Sequence, residues 1–338
     1  MSTIIEIDDS YWENGGQILR TALSFSAITK KPCRIFNIRK PGLTEQHLLS
    51  LRALSLLCDG RLEGNFLGSN EIEFYPDANY QYRISINIPT AGSIVLVLQT
   101  LIPPALCAKE PIKITFNGGA TDTFFSPTID YFRYVFLRIL EKMGAKIEID
   151  ILKRGYYPEG GAKAEVKIYP SVLKGLKLTE RGSLKKIVAI SGAAESLRDK
   201  KTAERQLAGV REVLGKLKLP IEERVEYYPT QCPGSQICLI GEFENTIIGT
   251  DNLGKLGERA EDVGKKTALE LLNEQKTNSC LDKHLADQIL PYMALASGKS
   301  QATVSEITNY CKANIWVIEK FLGGKFIAEN NTIIWRGN

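Results

Sequence analysis

Two charged side chains of opposite sign bracket a glycine pair near the N-terminus: Glu13 stands just before Gly15-Gly16, and Arg20 follows a helical turn later. A glycine turn opening a helix offers backbone N–H groups to an anion, a carboxylate there suits a divalent metal, and a guanidinium suits phosphate. The pattern points to phosphate chemistry. An equally open reading has Glu13 and Arg20 paired across a helix turn, with the glycines serving only a tight bend. The chain holds two histidines, His47 and His284, so histidine nucleophile or base chemistry has only those positions to use. Its seven cysteines are scattered, with no Cys-x-x-Cys, which argues against a disulfide framework and against a zinc site.

Such groups need elements to hold them, and an internal repeat supplies these. Three segments set a polar or glycine-rich turn before a helix-like apolar run, starting at Glu13, Thr90 and Leu285. Second helices follow at Glu45, Ser126 and Asn314, with alternating stretches such as Cys33 to Ile38 and Ile112 to Phe116 reading as strands. The expected fold class is α+β: a large domain of three repeated units, each two helices packed on a small β-sheet, covering 1–180 and 281–338. Residues 181–280 change rhythm and read as an inserted smaller α/β domain, with charged helices from Lys200 to Leu217 and from Arg259 to Glu274.

Composition bounds the rest. A chain of 338 residues with 43% hydrophobic content suits roughly two globular domains. Forty-three Lys and Arg against 39 Asp and Glu leave a charge of +4, too little to announce a nucleic-acid partner by charge alone. The longest apolar run, Leu101 to Ala108, is far shorter than the roughly 18 residues a membrane span needs. No basic region followed by an apolar stretch opens the chain, so a cytoplasmic location is expected.

Several motifs, in order, resemble the RNA 3'-terminal phosphate cyclase family. They are Glu13-Asn14-Gly15-Gly16-Gln17-Ile18-Leu19-Arg20, Pro41-Gly42-Leu43 through Gln46-His47, Thr90-Ala91-Gly92-Ser93 leading to Gln99, Gly118 through Asp122 with Pro127 behind it, Arg154 through Gly161, and His284-Leu285-Ala286-Asp287-Gln288. The resemblance implies an ATP-dependent ligase-class enzyme using Mg2+ or Mn2+, which converts an RNA 3'-phosphate to a 2',3'-cyclic phosphate through enzyme–AMP and RNA-adenylate intermediates. It further implies Glu13 as metal ligand, Arg20 and Arg39 as phosphate contacts, and Gln46 near the RNA end. Gln99, Pro127 and His284 to Gln288 fall in the implied ATP site, with His284 against adenine and Asp287 near ribose or metal. The implied partners are ATP and an RNA with a 3'-phosphate end; a homodimer is an open option and a membrane is not expected.

At the position where the family carries its nucleophilic histidine, this chain has Tyr310, four residues before Asn314-Ile315. An ordinary phenol is only ~10⁻³ ionised at neutral pH. Tyr310 is therefore either an unusual nucleophile, with neighbouring Cys311 and Lys312 as alternatives, or the mark of a cyclase-like protein that binds RNA or nucleotide without catalysis. A carboxyvinyl transferase would share repeated two-helix units, but its motifs are absent.

Overall fold

The structure, a computed structural model, describes residues 3–11, 16–77, 79–217 and 219–336. The first sheet combines β1 (Ile5–Asp8), β2 (Cys33–Phe36), β3 (Arg61–Glu63) and β4 (Ile72–Tyr75) in the order β1-β2-β4-β3. Its parallel β1/β2 pair requires a crossover, which α1 (Gly16–Thr29) provides, and α2 (Glu45–Cys58) precedes the antiparallel β3/β4 pair.

The same connectivity recurs. β5 (Arg83–Ser93), α3 (Ile94–Leu106) and β6 (Ile112–Ala120) form a second parallel crossover. A helical stretch follows, α4 (Ile129–Tyr131) and α5 (Leu137–Lys142) joined by a π-turn, and then antiparallel β7 (Lys146–Lys153) and β8 (Lys163–Tyr169) complete the order β5-β6-β8-β7. A two-residue strand, β9 (Lys177–Leu178), starts a third sheet that is finished only about a hundred residues later.

Between the two parts of that third sheet lie β10 (Leu184–Ala194), α6 (Thr202–Leu214), β11 (Ile221–Tyr228), β12 (Ser235–Phe243), β13 (Ile247–Leu253) and α7 (Ala260–Lys276). Their sheet has a different order, β11-β10-β12-β13. α8 (Lys283–Leu295), β14 (Ser300–Thr303), α9 (Asn309–Leu322), β15 (Phe326–Glu329) and β16 (Thr332–Trp335) then close the third sheet as β15-β16-β14-β9, with β9 parallel to β14. The architecture is α+β.

β10 shows why its sheet stays attached to the remainder. Side chains alternate across a strand: Ile187 and Ala189 pack with Leu207, Val210 and Leu271 of α6 and α7, while Val188 and Ile190 join the main core. A strand buried on both faces reads as the unbroken apolar run seen in the sequence. Entry and exit of the segment are tied together, since Arg181 donates to the Gln275 carbonyl (2.8 Å) and to the Asn278 side chain (3.0 Å).

Three helix starts differ from the sequence expectation, each for a capping reason. α9 opens at Asn309 and not at Asn314, because the Thr308 hydroxyl accepts the Cys311 N–H and caps a polar first turn. α8 opens at Lys283, since Asp282 accepts the N–H groups of His284 and Leu285; Leu285 to Gln288 thus lie inside the helix and not in a turn before it. The helix expected at Ser126 begins at Ile129, with Thr128 as its cap. Among the described residues no helix is long and apolar enough to cross a membrane.

Candidate active site

Glu13, Asn14 and Gly15 lie outside the described residues, so the site is built outward from Arg20 on α1. Arg20 donates from Nη2 to Gln17 Oε1 at 2.7 Å, while its buried Nε has no hydrogen-bond partner among the described residues. Burial lowers its pKa to about 10 against the pull of Asp287 and Tyr310, which places both of those groups in the field of its guanidinium.

One asparagine ties three helices together around that guanidinium. Asn314 Oδ1 accepts from Thr21 Oγ1 (2.6 Å) and Gln17 Nε2 (3.1 Å), and its Nδ2 donates to the Asp287 carbonyl (2.8 Å). α1, α8 and α9 are thereby joined by a buried and fully used amide. Tyr310, in the first turn of α9, stays 46% exposed, so the residue is reachable from solution. Its neighbour Cys311 is buried and its thiol is pushed up to about 12, which removes it as a nucleophile. Lys312 is exposed.

Burial pushes the Asp287 carboxyl up to about 8, with Arg20 opposing the rise and Asp282 adding to it. An unfolded aspartate titrates near 3.9. Between these values the folded state holds a proton that the unfolded state has released, so this contribution is complete below pH 4 and is lost as pH rises through 8. Asp287→Asn is therefore expected to gain stability relative to the parent protein between pH 5 and pH 8. Urea unfolding at both values checks this, and an equal difference at the two would contradict it.

Arg20, Gln99 and Gln288 line one cavity of about 20 Å³ together with Tyr292. That volume holds a water molecule and not a purine. Gln288 donates to the His284 carbonyl at 2.9 Å, and its buried Oε1 has no partner among the described residues. Leu285 and Ala286 are buried in the core, whereas His284 is exposed. His284 faces Asp251, whose carboxylate accepts the Thr128 N–H at 2.6 Å; burial raises that carboxyl and His284 draws it back. Pro127 is half-buried directly before Thr128.

Gln46 stands in the first turn of α2. Its amide accepts the Ser93 N–H at 2.6 Å and donates to the Ser93 carbonyl at 3.4 Å, bracing the start of α3. Ser93 Oγ in turn lies 2.6 Å from Ser126 Oγ. Arg39 is exposed and lies near Asp9, whose carboxyl burial pushes up to about 7 against the pull of Arg39.

His47, not counted among the site residues from sequence, joins the cluster. The Thr44 N–H donates to His47 Nδ1 at 3.2 Å in a capping box, so the ring proton sits on Nε2. Burial, aided by the charge of Arg20, lowers its pKa to about 4 and keeps it neutral. A Cβ at Gly16 would stand 2.7 Å from both Arg20 Nη1 and His47 Nε2, so a side chain there would displace these two N–H donors, which converge on the start of α1. The Thr-x-x-His spacing is a capping signal legible in the sequence; the approach to Gly16 is not.

Comparison with known proteins gives this geometry a context. Residues 11–328 match the RNA 3'-terminal phosphate cyclase family. An RNA 3'-terminal phosphate cyclase from Pyrococcus abyssi is 42% identical over 328 residues, covering 96% of this chain and 94% of that protein. Proteins of the same name from Pyrobaculum aerophilum (41%, 95% and 94% covered) and Archaeoglobus fulgidus (40%, 98% and 99% covered) match as fully. Among solved structures, an EPSP synthase from Acinetobacter baumannii aligns with 11% identity and a TM-score of 0.32, covering 100% of this chain and 83% of that one, too loose a fit to argue from. With a match over residues 11–328, and with the α1 and α8 motif segments joined through Asn314, the chain belongs to the RNA 3'-terminal phosphate cyclase family.

Proposed function

We propose that this protein converts an RNA 3'-terminal phosphate to a 2',3'-cyclic phosphodiester at the expense of ATP, with Tyr310 as the AMP acceptor. The observation that carries the reading is a half-exposed Tyr310 in the first turn of α9, within the electrostatic reach of the buried Arg20, in a chain of this family. Among the described residues Arg20 Nε and Gln288 Oε1 are buried without partners beside a cavity the size of one water molecule, which could bridge them.

Three displacements balance the reaction. Tyr310 oxygen attacks the α-phosphorus of ATP, pyrophosphate leaves and the phenolic proton passes to solvent. An oxygen of the RNA 3'-phosphate then attacks the AMP phosphorus and releases Tyr310, forming an RNA-adenylate. The vicinal 2'-hydroxyl attacks the 3'-phosphorus, AMP departs and the ring closes. Each step has a good leaving group, which is what covalent catalysis gains here. Arg20 and the neutral His47 Nε2–H stabilise phosphate charge, Asn314 holds α1, α8 and α9 in register, and Gln46 keeps the Ser93 turn fixed.

Among the described residues no three His, Cys, Asp or Glu side chains form a cage for a metal. Mg2+, or Mn2+, is typically held by one or two carboxylates plus substrate phosphates. Glu13 is the carboxylate assigned to that role, and the ion would neutralise phosphate charge. Incubation with α-labelled ATP and Mg2+ is expected to leave acid-stable AMP on Tyr310. Glu13→Ala is expected to lower metal-dependent ATP affinity at least tenfold by titration calorimetry, and an unchanged titration removes Glu13 from the site. Label on Lys312 moves the acceptor. No label, with RNA binding indifferent to ATP and metal, favours the second reading, an RNA-binding cyclase-like protein, for which the histidine-to-tyrosine change is the motivating observation.

A further inference from the structure

Two chain segments bring aromatic side chains together near the surface, and a third adds a lysine. Between β6 and α4 the chain presents Phe124 and Phe125; the β7–β8 loop brings Tyr157; and the loop after β13 brings Lys255. Phe125 is wholly exposed (103%) at φ +62°, a backbone conformation that bulky side chains rarely adopt, and Tyr157 is 55% exposed. Phe124 meets Tyr157 edge to face, with ring centroids 5.7 Å apart, and the Lys255 ammonium lies 5.6 Å from the Phe124 centroid. Folding gains nothing from an aromatic side chain held fully in water on such a backbone.

The ridge adjoins two of the quoted motif segments, those of Ser93 and Pro127. Ser126, next to Phe125, contacts Ser93 through its hydroxyl, and Ser93 is held by Gln46. Two residues further on, the Thr128 N–H binds the Asp251 carboxylate that faces His284. A strand of RNA entering the site by its 3' end would have its preceding nucleotides alongside these rings.

We propose that Phe124, Phe125 and Tyr157, with Lys255, form a stacking platform for the single-stranded RNA immediately upstream of the 3'-terminal nucleotide. The inference rests on the cyclase reading above and adds to it how the strand is gripped. Every base has a π-face, so stacking accepts any sequence, and a neighbouring ammonium answers the phosphate charge. The platform predicts a substrate with an unpaired 3' end, because paired bases have no free face to offer.

The test compares the parent protein with the double variant Phe125→Ala/Tyr157→Ala, both surface positions. A 5'-fluorescein RNA octamer ending in a 3'-phosphate is titrated by anisotropy, and uridine 3'-monophosphate, which has no upstream nucleotide, is used as competitor. The variant is expected to bind the octamer at least tenfold more weakly, with competitor affinity and RNA-free AMP capture within twofold of the parent. Octamer binding within twofold overturns the RNA platform and leaves the ridge to a protein partner; equal weakening of octamer and competitor overturns it as a defect of the site itself. A parent protein that captures no AMP yet binds the octamer, with loss in the variant, overturns the catalytic reading alone. A parent that binds no RNA overturns both.

Discussion

Tyr310→His is expected to increase the rate of AMP capture from ATP by up to about three orders of magnitude at pH 7. The estimate follows from the fraction of each side chain in its reactive form: ~10⁻³ for an ordinary phenol, against the larger part for an imidazole. The surroundings favour the exchange. Position 310 lies in the first turn of α9 with its side chain 46% exposed, so an imidazole needs no core space and breaks no buried hydrogen bond. The hub that sets the register of α9, Asn314 with Thr21, Gln17 and the Asp287 carbonyl, is one turn away and untouched. The linkage must change as well. A phosphoramidate on histidine is acid-labile, whereas the aryl ester on tyrosine survives acid, so label lost in acid from the variant and kept by the parent identifies position 310 as acceptor in both. Rates equal within threefold would mean that phosphate positioning, not the acceptor, limits the reaction. Tyr310→Phe supplies the matching control, because it removes the oxygen and should abolish acid-stable label while leaving the fold intact.

Much of the architecture was legible because apolar period maps onto burial. The run Ile187-Val188-Ala189-Ile190 reads as a strand covered on both faces, and the structure divides those side chains between two packed layers. Helix starts were less legible where the first turn is polar. Asn309 to Ala313 lacks the apolar stripe that reveals a helix, and only the Thr308 cap announces it. The site follows the same division. Motif residues Arg20, Gln99 and Gln288 come together at one cavity, yet the group that binds their helices, Asn314, meets Gln17 across 297 positions in sequence. No local spacing encodes such a contact. Gln46 shows the same limit: its amide braces the Ser93 backbone, a contact that its motif position does not announce.

Arg154→Met is expected to cost about 3–5 kcal/mol of stability, the range for a buried ion pair that loses one member. Arg154 is buried, donating from Nη1 to Asp122 (3.2 Å) and from Nη2 to Asp130 (2.5 Å), with its guanidinium 4.5 Å over the Tyr228 ring. Gln236 of β12 donates to the other Asp130 oxygen at 3.2 Å, so the cluster clamps the second sheet and its helix to the sheet of β10–β13. Methionine would fill the volume and leave two carboxylates facing each other without a cation. Burial already pushes Asp122 up to about 6 although Arg154 draws it down. With the cation gone the carboxyl rises further, and its contribution, present while it is protonated, is lost as pH rises through that higher value. The deficit should therefore be larger at pH 8 than at pH 5, and Arg154→Met/Asp122→Asn/Asp130→Asn should recover most of it at pH 8. Denaturant unfolding of the three proteins at the two pH values decides: a loss below about 1 kcal/mol, or one independent of pH, would show that Tyr228 and Gln236 hold the two sheets together without the charge.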